Sequence, residues 1–338
     1  MDNIGIISYG LYIPKNIITY KEISKAFNIP EDVVLNKQGL KKKHVSSESE
    51  MPSDMAFYAA KSALEKAEVM GINITDIGSI IYVGSQWKDY NVWLLSTYLQ
   101  EKLGLKQAYS FDLSAMCAGM VTGLYLAKSM LLSDDSMKAV LLVGASKESY
   151  IVKPNDPNTS WMDDFADAGV AAVIAKGAKR NIILKSDFMT DGSLSEGALI
   201  ITGGAKVPFY QKYCVDKKVY LESLIPKEDF KRKMEKISLK NFKSVIQNSI
   251  QKSGLKNEDI KMIFLNHMKP SFHKELLNSL NMPSNKSIYL DEYGHSQSAD
   301  QFIGLDIALN KGLLKEGYIV FAAAGTGYVW GSTVIKWG

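Results

Sequence analysis

One thiol and two imidazoles, far apart in the chain, are the residues of this sequence best suited to covalent chemistry. Cys117 stands in "FDLSAMCAGMVTGLYLAKSML" (111–131), where an apolar run meets an amphipathic one. Such a join reads as the end of a strand and the first turn of a helix. Backbone N–H groups converge there, and the positive end of the helix is expected to lower the thiol pKa. Small neighbours, Ala115, Ala118 and Gly119, leave room for a substrate carbonyl beside the sulfur. An inert buried cysteine is the alternative. His267 ends the apolar run "KMIFLNH", and His295 stands in "YGHSQSAD". Both fall at strand-to-helix joins, the edge where α/β sheets bind ligands. His44, after "KKK", and His273, inside a helical pattern, read as structural or surface residues. A cysteine with two histidines suits acyl transfer, in which sulfur attacks a thioester while the imidazoles polarise a carbonyl or move a proton. A Cys/His/His zinc site competes, although no close ligand pair or fourth ligand supports it.

Positioning these three groups requires elements of a particular kind. The runs at 5–10, 79–85, 138–146, 261–267 and 318–325 are rich in Val and Ile and lack a polar alternate face, so they read as strands covered on both sides. Helical patterns at 53–70, with Ser53 and Asp54 as caps, and at 241–254, ending at Gly254, lie between them. The pattern then repeats. "AAKSALEKAEVMGINITDIGSIIYVGS" parallels "SVIQNSIQKSGLKNEDIKMIFLNH", and the passage holding Cys117 parallels the one holding His295, each with a strand ending in an Asp, a turn and a helix. Two similar halves, 1–180 and 181–338, are expected to face each other about an approximate two-fold axis and bring Cys117 to His295. An irregular loop or cap is expected over about 186–226. The tail "FAAAGTGYVWGSTVIKWG" adds a glycine-rich turn able to present an N–H to an oxyanion.

Composition excludes several classes. The 338 residues are 46% hydrophobic and 22% charged with net charge +4, which argues against a nucleic-acid binder. Cys117 and Cys214 are too few for a disulfide framework. No basic leader precedes the first strand and no apolar run is expected to span a membrane, so a cytoplasmic protein is expected.

"DLSAMCAG", "DDFADAGVAAVIA", "LNHMKPSF", "YGHSQSAD" and "GTGYVWGS" together resemble the thiolase superfamily, specifically β-ketoacyl-acyl-carrier-protein synthase III and its relatives, over nearly the whole chain. The resemblance implies a five-layer αβαβα fold, usually as a homodimer. It implies an acyl thioester on Cys117, decarboxylation of a malonyl thioester assisted by His267 and residue 295, and an oxyanion hole from the N–H groups of Cys117 and near Thr326. No cofactor is implied beyond the thioester substrates. Three departures stand out. His295 occupies a position where this group typically has Asn, and a Cys-His-His set is instead similar to that of the elongating synthases. Val33 and Lys37 replace the family's Trp and Arg that hold the coenzyme A adenine, which favours a carrier protein as donor. Gln86 stands where the related hydroxymethylglutaryl-coenzyme A synthases need a Glu. Trp87, Tyr90 and Trp93 fall where the family builds its acyl pocket or dimer contact. Lys231, Arg232 and Lys233 lie on a basic helix that could dock an acidic carrier protein, or form a solvated face. The readings left open are a decarboxylating condensing enzyme, a simple acyltransferase using His295 as base, and a non-catalytic subunit of a heteromeric synthase. Gln297 and Asp300 remain unassigned.

Overall fold

The computed structural model describes residues 3–156, 158–208 and 219–338. Cys214 lies outside the described residues. In the first half, β1 (Ile4–Tyr12) leads into an excursion of β2 (Asn16–Thr19), α1 (Tyr20–Phe27), α2 (Glu31–Val33) and β3 (Lys42–Val45). Then come α3 (Pro52–Val69), β4 (Ile77–Tyr82), α4 (Leu95–Lys102), β5 (Tyr109–Asp112), α5 (Gly119–Ser133), β6 (Ala139–Lys147) and β7 (Asp167–Lys176). The second half runs β8 (Ile182–Thr190), α6 (Lys227–Lys252), β9 (Ile260–Leu265), α7 (Pro270–Ser279), α8 (Asp300–Asn310), β10 (Gly317–Gly325) and β11 (Val329–Trp337).

The sheet carries the repeat in its strand order, β5-β4-β6-β7-β1-β8-β11-β10-β9. Read outward from the centre, each half goes through its first, last and next-to-last strands before its second. The halves meet where β1 pairs with β8 at Gly5 and Ile182. Parallel pairing of β4 with β5 and β6, and of β9 with β10, needs crossover helices, and these make the layers. α3 packs on β1, β6 and β7, while α6 packs on β8 and β11. Between the two halves of the sheet lie α5 and α8; α5 touches β6 and β7 on one side and β10 and β11 on the other. The result is the five-layer αβαβα arrangement. Met120, Leu124 and Leu131 of α5 are fully buried, each worth about 1.5–3 kcal/mol of apolar burial.

Several expectations need correction. The cap does not begin at 186, because 186–190 complete β8, whose half-polar sequence suits a strand with one face partly open. Among the described residues the second half has no strand matching β5, and an isolated bridge, Ile263 with Ser287, stands in its place. The backbone there is engaged elsewhere, since Lys41 N–H donates to Asp291 O and His44 N–H to Tyr293 O. Helix α3 is capped at Met51, whose N–H donates to Asp54, and Ser53 hydrogen-bonds Asp89 instead. Met116–Ser133 is in fact long and apolar enough to cross a membrane, but half of it is buried, as suits a helix of the central layer.

Candidate active site

Each half of the chain carries the same kind of turn near its chemistry. After β5 a 3-10 turn, Met116–Ala118, leads into α5; in the second half Gln297–Ala299 leads into α8. The first residue of each turn is left-handed, with φ of 47° at Met116 and 56° at Gln297. A side-chain-bearing residue in that region costs about 1–3 kcal/mol and persists only where its surroundings hold it. Gly119 follows Cys117 against the neighbouring strand end, where a Cβ would sit 2.1 Å from Val83 O. Gly325, at the end of β10, approaches from the other half, and a Cβ there would lie 3.1 Å from the Cys117 nitrogen.

Across this seam the groups meet. His295 Nε2 lies 3.0 Å from Cys117 Sγ. Its Nδ1–H donates to Asp300 Oδ2 at 2.6 Å, which leaves Nε2 free to take the thiol proton. Burial pushes the Cys117 thiol up, and His295 only partly pulls it back. The net direction is upward, where the helix-end argument expects a lowering, because the thiol is buried. Burial disfavours the His295 imidazolium, but Cys117 and Asp300 outweigh it and hold the ring well above the usual histidine range. Phe165 packs edge-on against the His295 ring at 5.3 Å.

His267 joins the same network. Its Nδ1–H donates to Asp164 Oδ2 at 2.6 Å, and its backbone N–H to Asp300 Oδ2 at 2.8 Å. Burial works to raise Asp164, but His267 outweighs it and the carboxyl is lowered. Nε2 of His267 is buried with no partner among the described residues. Asp300 thus starts α8 and also ties both histidines together. His273 is structural as expected, buried in α7 and pushed down to about 4 by that burial.

A cavity of about 420 Å³ opens at the sulfur, within the range of small-molecule sites. Gln86, Trp87, Gln297 and Thr326 line it with Cys117. So does the irregular segment after β8, through Ser195, Ala198, Leu199, Ile200, Val219 and Leu221 among others. Trp93 lines an adjoining cavity with Lys88 and Asp112, which shares Gln86 and Asn91 with the first. Lys37 stands exposed on a short turn, Val34–Gln38, and is not part of the cavity wall. Lys231, Arg232 and Lys233 lie on α6, where Lys231 pairs with Glu235, Arg232 with Asp229, and Lys233 Nζ donates to Ser193 O. Sequence reasoning missed Asp164 and Glu148. Asp164 lies inside a motif quoted above and was detectable as a carboxylate at a strand entry; Glu148 gave no signal, being one charged residue after an apolar run.

A duplicated αβαβα fold with a cysteine at the seam of its halves, touched by a carboxylate-backed histidine, defines the thiolase superfamily of acyl-transferring enzymes. Residues 111–192 match the family model for 3-oxoacyl-[acyl-carrier-protein] synthase III, and residues 250–337 match the model for its C-terminal part. The chain belongs to that family and is a condensing enzyme of the acyltransferase class. It is 29% identical, over 98% of its length and 97% of the relative's, to a β-ketoacyl-[acyl-carrier-protein] synthase III of Caldanaerobacter subterraneus subsp. tengcongensis. It is similar to the crystal structure of 3-oxoacyl-[acyl-carrier-protein] synthase III from Aquifex aeolicus, with TM-score 0.83, 25% identity, and coverage of 99% and 100% of the two chains. The priming β-ketosynthase of a polyketide biosynthetic pathway shares the fold, with TM-score 0.84 at 18% identity and coverage of 99% and 96%.

Proposed function

We propose that the protein loads an acyl group on Cys117 and condenses it with a malonyl thioester, releasing carbon dioxide and a β-ketoacyl thioester. The observation that carries this reading is the 3.0 Å contact of His295 with Cys117, beside a second buried histidine with a free Nε2. His295 takes the thiol proton as sulfur attacks the donor thioester. His267, oriented by Asp164, serves the malonyl group. The N–H groups of Cys117 and Thr326 receive the developing oxyanion, a role supported by the close approach of Gly325 to the Cys117 turn. No cofactor enters these steps. An acyl carrier protein is the proposed partner, in line with the family and with Val33 and Lys37 at the positions that would hold an adenine. Lys231, Arg232 and Lys233 are its candidate contacts; they are exposed charges, so the docking should weaken with salt, and each already has a local partner to give up.

A homodimer is supported by the open edge of β5 and by exposed Tyr90, Val92, Leu94 and Tyr109 near it. A cytoplasmic setting suits a working thiol. The proposed division of the chain is 1–180 and 181–338.

One observation favours a second reading. Cys117, His295 and Asp300 stand in the order of nucleophile, base and orienting carboxylate, which also serves transfer to an oxygen, nitrogen or carbon acceptor without decarboxylation. Intact-protein mass spectrometry after exposure to acyl thioesters, followed by malonyl thioester with carbon dioxide measured, separates the two. Condensation releases carbon dioxide in step with discharge of the acyl-enzyme; discharge without it supports simple transfer.

A further inference from the structure

Glu148 is a buried carboxyl in the Cys117 cavity for which the proposed condensation has no use. It follows the wholly buried strand β6, on the same sheet edge as the sulfur. Its Oε1 accepts from Ser85 Oγ at 2.6 Å and from Gln297 Nε2 at 2.9 Å. No described residue donates to its Oε2. Burial raises its pKa, with Ser85 and His295 opposing. Gln297 is 1% exposed and left-handed, and spends its amide nitrogen on Glu148. Its Oε1 is left buried with no partner among the described residues. Two neighbouring polar oxygens are thus held ready by fixed partners and lack a donor of their own. Of the two, the Gln297 oxygen is the fully buried one, and an unpaired buried acceptor is costly unless a ligand or a water completes it; the Glu148 oxygen keeps some exposure to the cavity.

A plain hydrocarbon chain has nothing to give them. Ile151, Met162, Phe165 and Leu221 line the cavity too and can take methylenes, so its wall is apolar except where this pair and a few other polar groups interrupt it. We propose that the acyl group accepted by Cys117 carries a hydrogen-bond donor, a hydroxyl or an amino group, which docks between Glu148 Oε2 and Gln297 Oε1. A hydroxyl can donate to Gln297 while exchanging a hydrogen bond with Glu148 in either protonation state; an amine needs the carboxylate. The pair selects the acyl group and takes no part in bond making. This rests on Cys117 as an acyl acceptor, not on whether condensation follows.

The test is a competition for Cys117, read by intact-protein mass, among hydroxyacyl, aminoacyl and unsubstituted acyl thioesters of equal chain length. The wild type should prefer a donor-bearing acyl group by about tenfold or more, as sites built to hydrogen-bond a substrate reject analogues that lack the group. Glu148→Leu should abolish or reverse that ratio. Glu148→Gln should keep a hydroxyacyl preference and lose an aminoacyl one, which tells the two donors apart. Equal loading of the unsubstituted group by the wild type, or an unchanged ratio in correctly folded Glu148→Leu, overturns the proposal. If no thioester loads Cys117, the reading of the nucleophile falls instead. The pocket is then judged by titrating Cys117→Ala protein with non-transferable ketone analogues of the same chains: tighter binding of the donor-bearing analogue sustains the proposal, and equal binding ends it.

Discussion

The turn at Met116–Ala118 and the turn at Gln297–Ala299 have the same backbone and opposite duties. Aligned on their left-handed first residues, Cys117 corresponds to Ser298, and His295 falls three positions earlier. Ser298 Oγ donates to Val83 O at 2.6 Å and so fastens the second half to the first. Among the described residues Cys117 makes one side-chain hydrogen bond, to His295, and otherwise faces a cavity. A duplicated strained turn therefore became a reactive site in one copy and a fastening in the other. The carboxylate that begins α8, Asp300, has no counterpart in the first half, where Gly119 holds the matching place.

The largest expected effect breaks this asymmetry on the reactive side. Cys117→Ala should abolish acyl-enzyme formation, a loss of at least about a thousandfold, while the melting transition stays near that of the wild type. A persisting acyl mass shift in that variant would remove the nucleophile assignment. Next comes His295→Asn, which cannot bridge Asp300 and the sulfur at once. Burial already raises the Cys117 pKa and His295 opposes it, so the loss of the ring should push the thiol higher still. Iodoacetamide alkylation at pH 7 should slow about 10- to 100-fold and its pH profile move upward; an unmoved profile would show that the pair is not coupled.

Two smaller effects concern the surroundings of the site, one within the first half and one between the halves. Asp163 lies in the loop that reaches the histidines, and burial raises its carboxyl to about 7 despite a hydrogen bond from Gln38. A raised carboxyl makes the native state bind more protons than the unfolded one, so stability is lost as pH climbs from about 4 through 7. Asp163→Asn should therefore stabilise the fold by about 2–3 kcal/mol at pH 8 and change little at pH 4, as seen by urea unfolding at both values. Equal gains at both would point to packing instead. Ser298→Ala leaves Val83 O without its side-chain partner and should cost about 1–2 kcal/mol, with Cys117 loading unchanged at saturating thioester. A loading defect there would mean that the second turn also shapes the reactive one.

Much of this was legible in the residues. Five apolar runs became β1, β4, β6, β9 and β10 because strands buried on both faces leave an unbroken signal. The repeat foretold the meeting of Cys117 and His295, since equivalent joins about a two-fold axis must converge. β8 was hidden by its polar alternates, and the missing partner of β5 by a pairing with the excursion, a contact between segments 250 residues apart that no local pattern encodes. Asp164 and Glu148 escaped for a related reason. A carboxyl acquires its role from the imidazole or amide it meets, and those partners lie 103 and 149 positions away. The thiol's raised pKa likewise depends on depth of burial, which a helix-end argument does not see.

Gly119 has a further consequence. With no clearance for even a methyl group between it and Val83, the backbone two residues past the sulfur is held tight against the strand end. Acyl chains of different bulk cannot be accommodated by retreat of the nucleophile. Room for them has to come from the rest of the cavity wall, where Trp87, Ile151, Met162 and Phe165 stand with the irregular strip after β8, so that changes in chain-length preference belong to those residues and leave the reacting atom where it is.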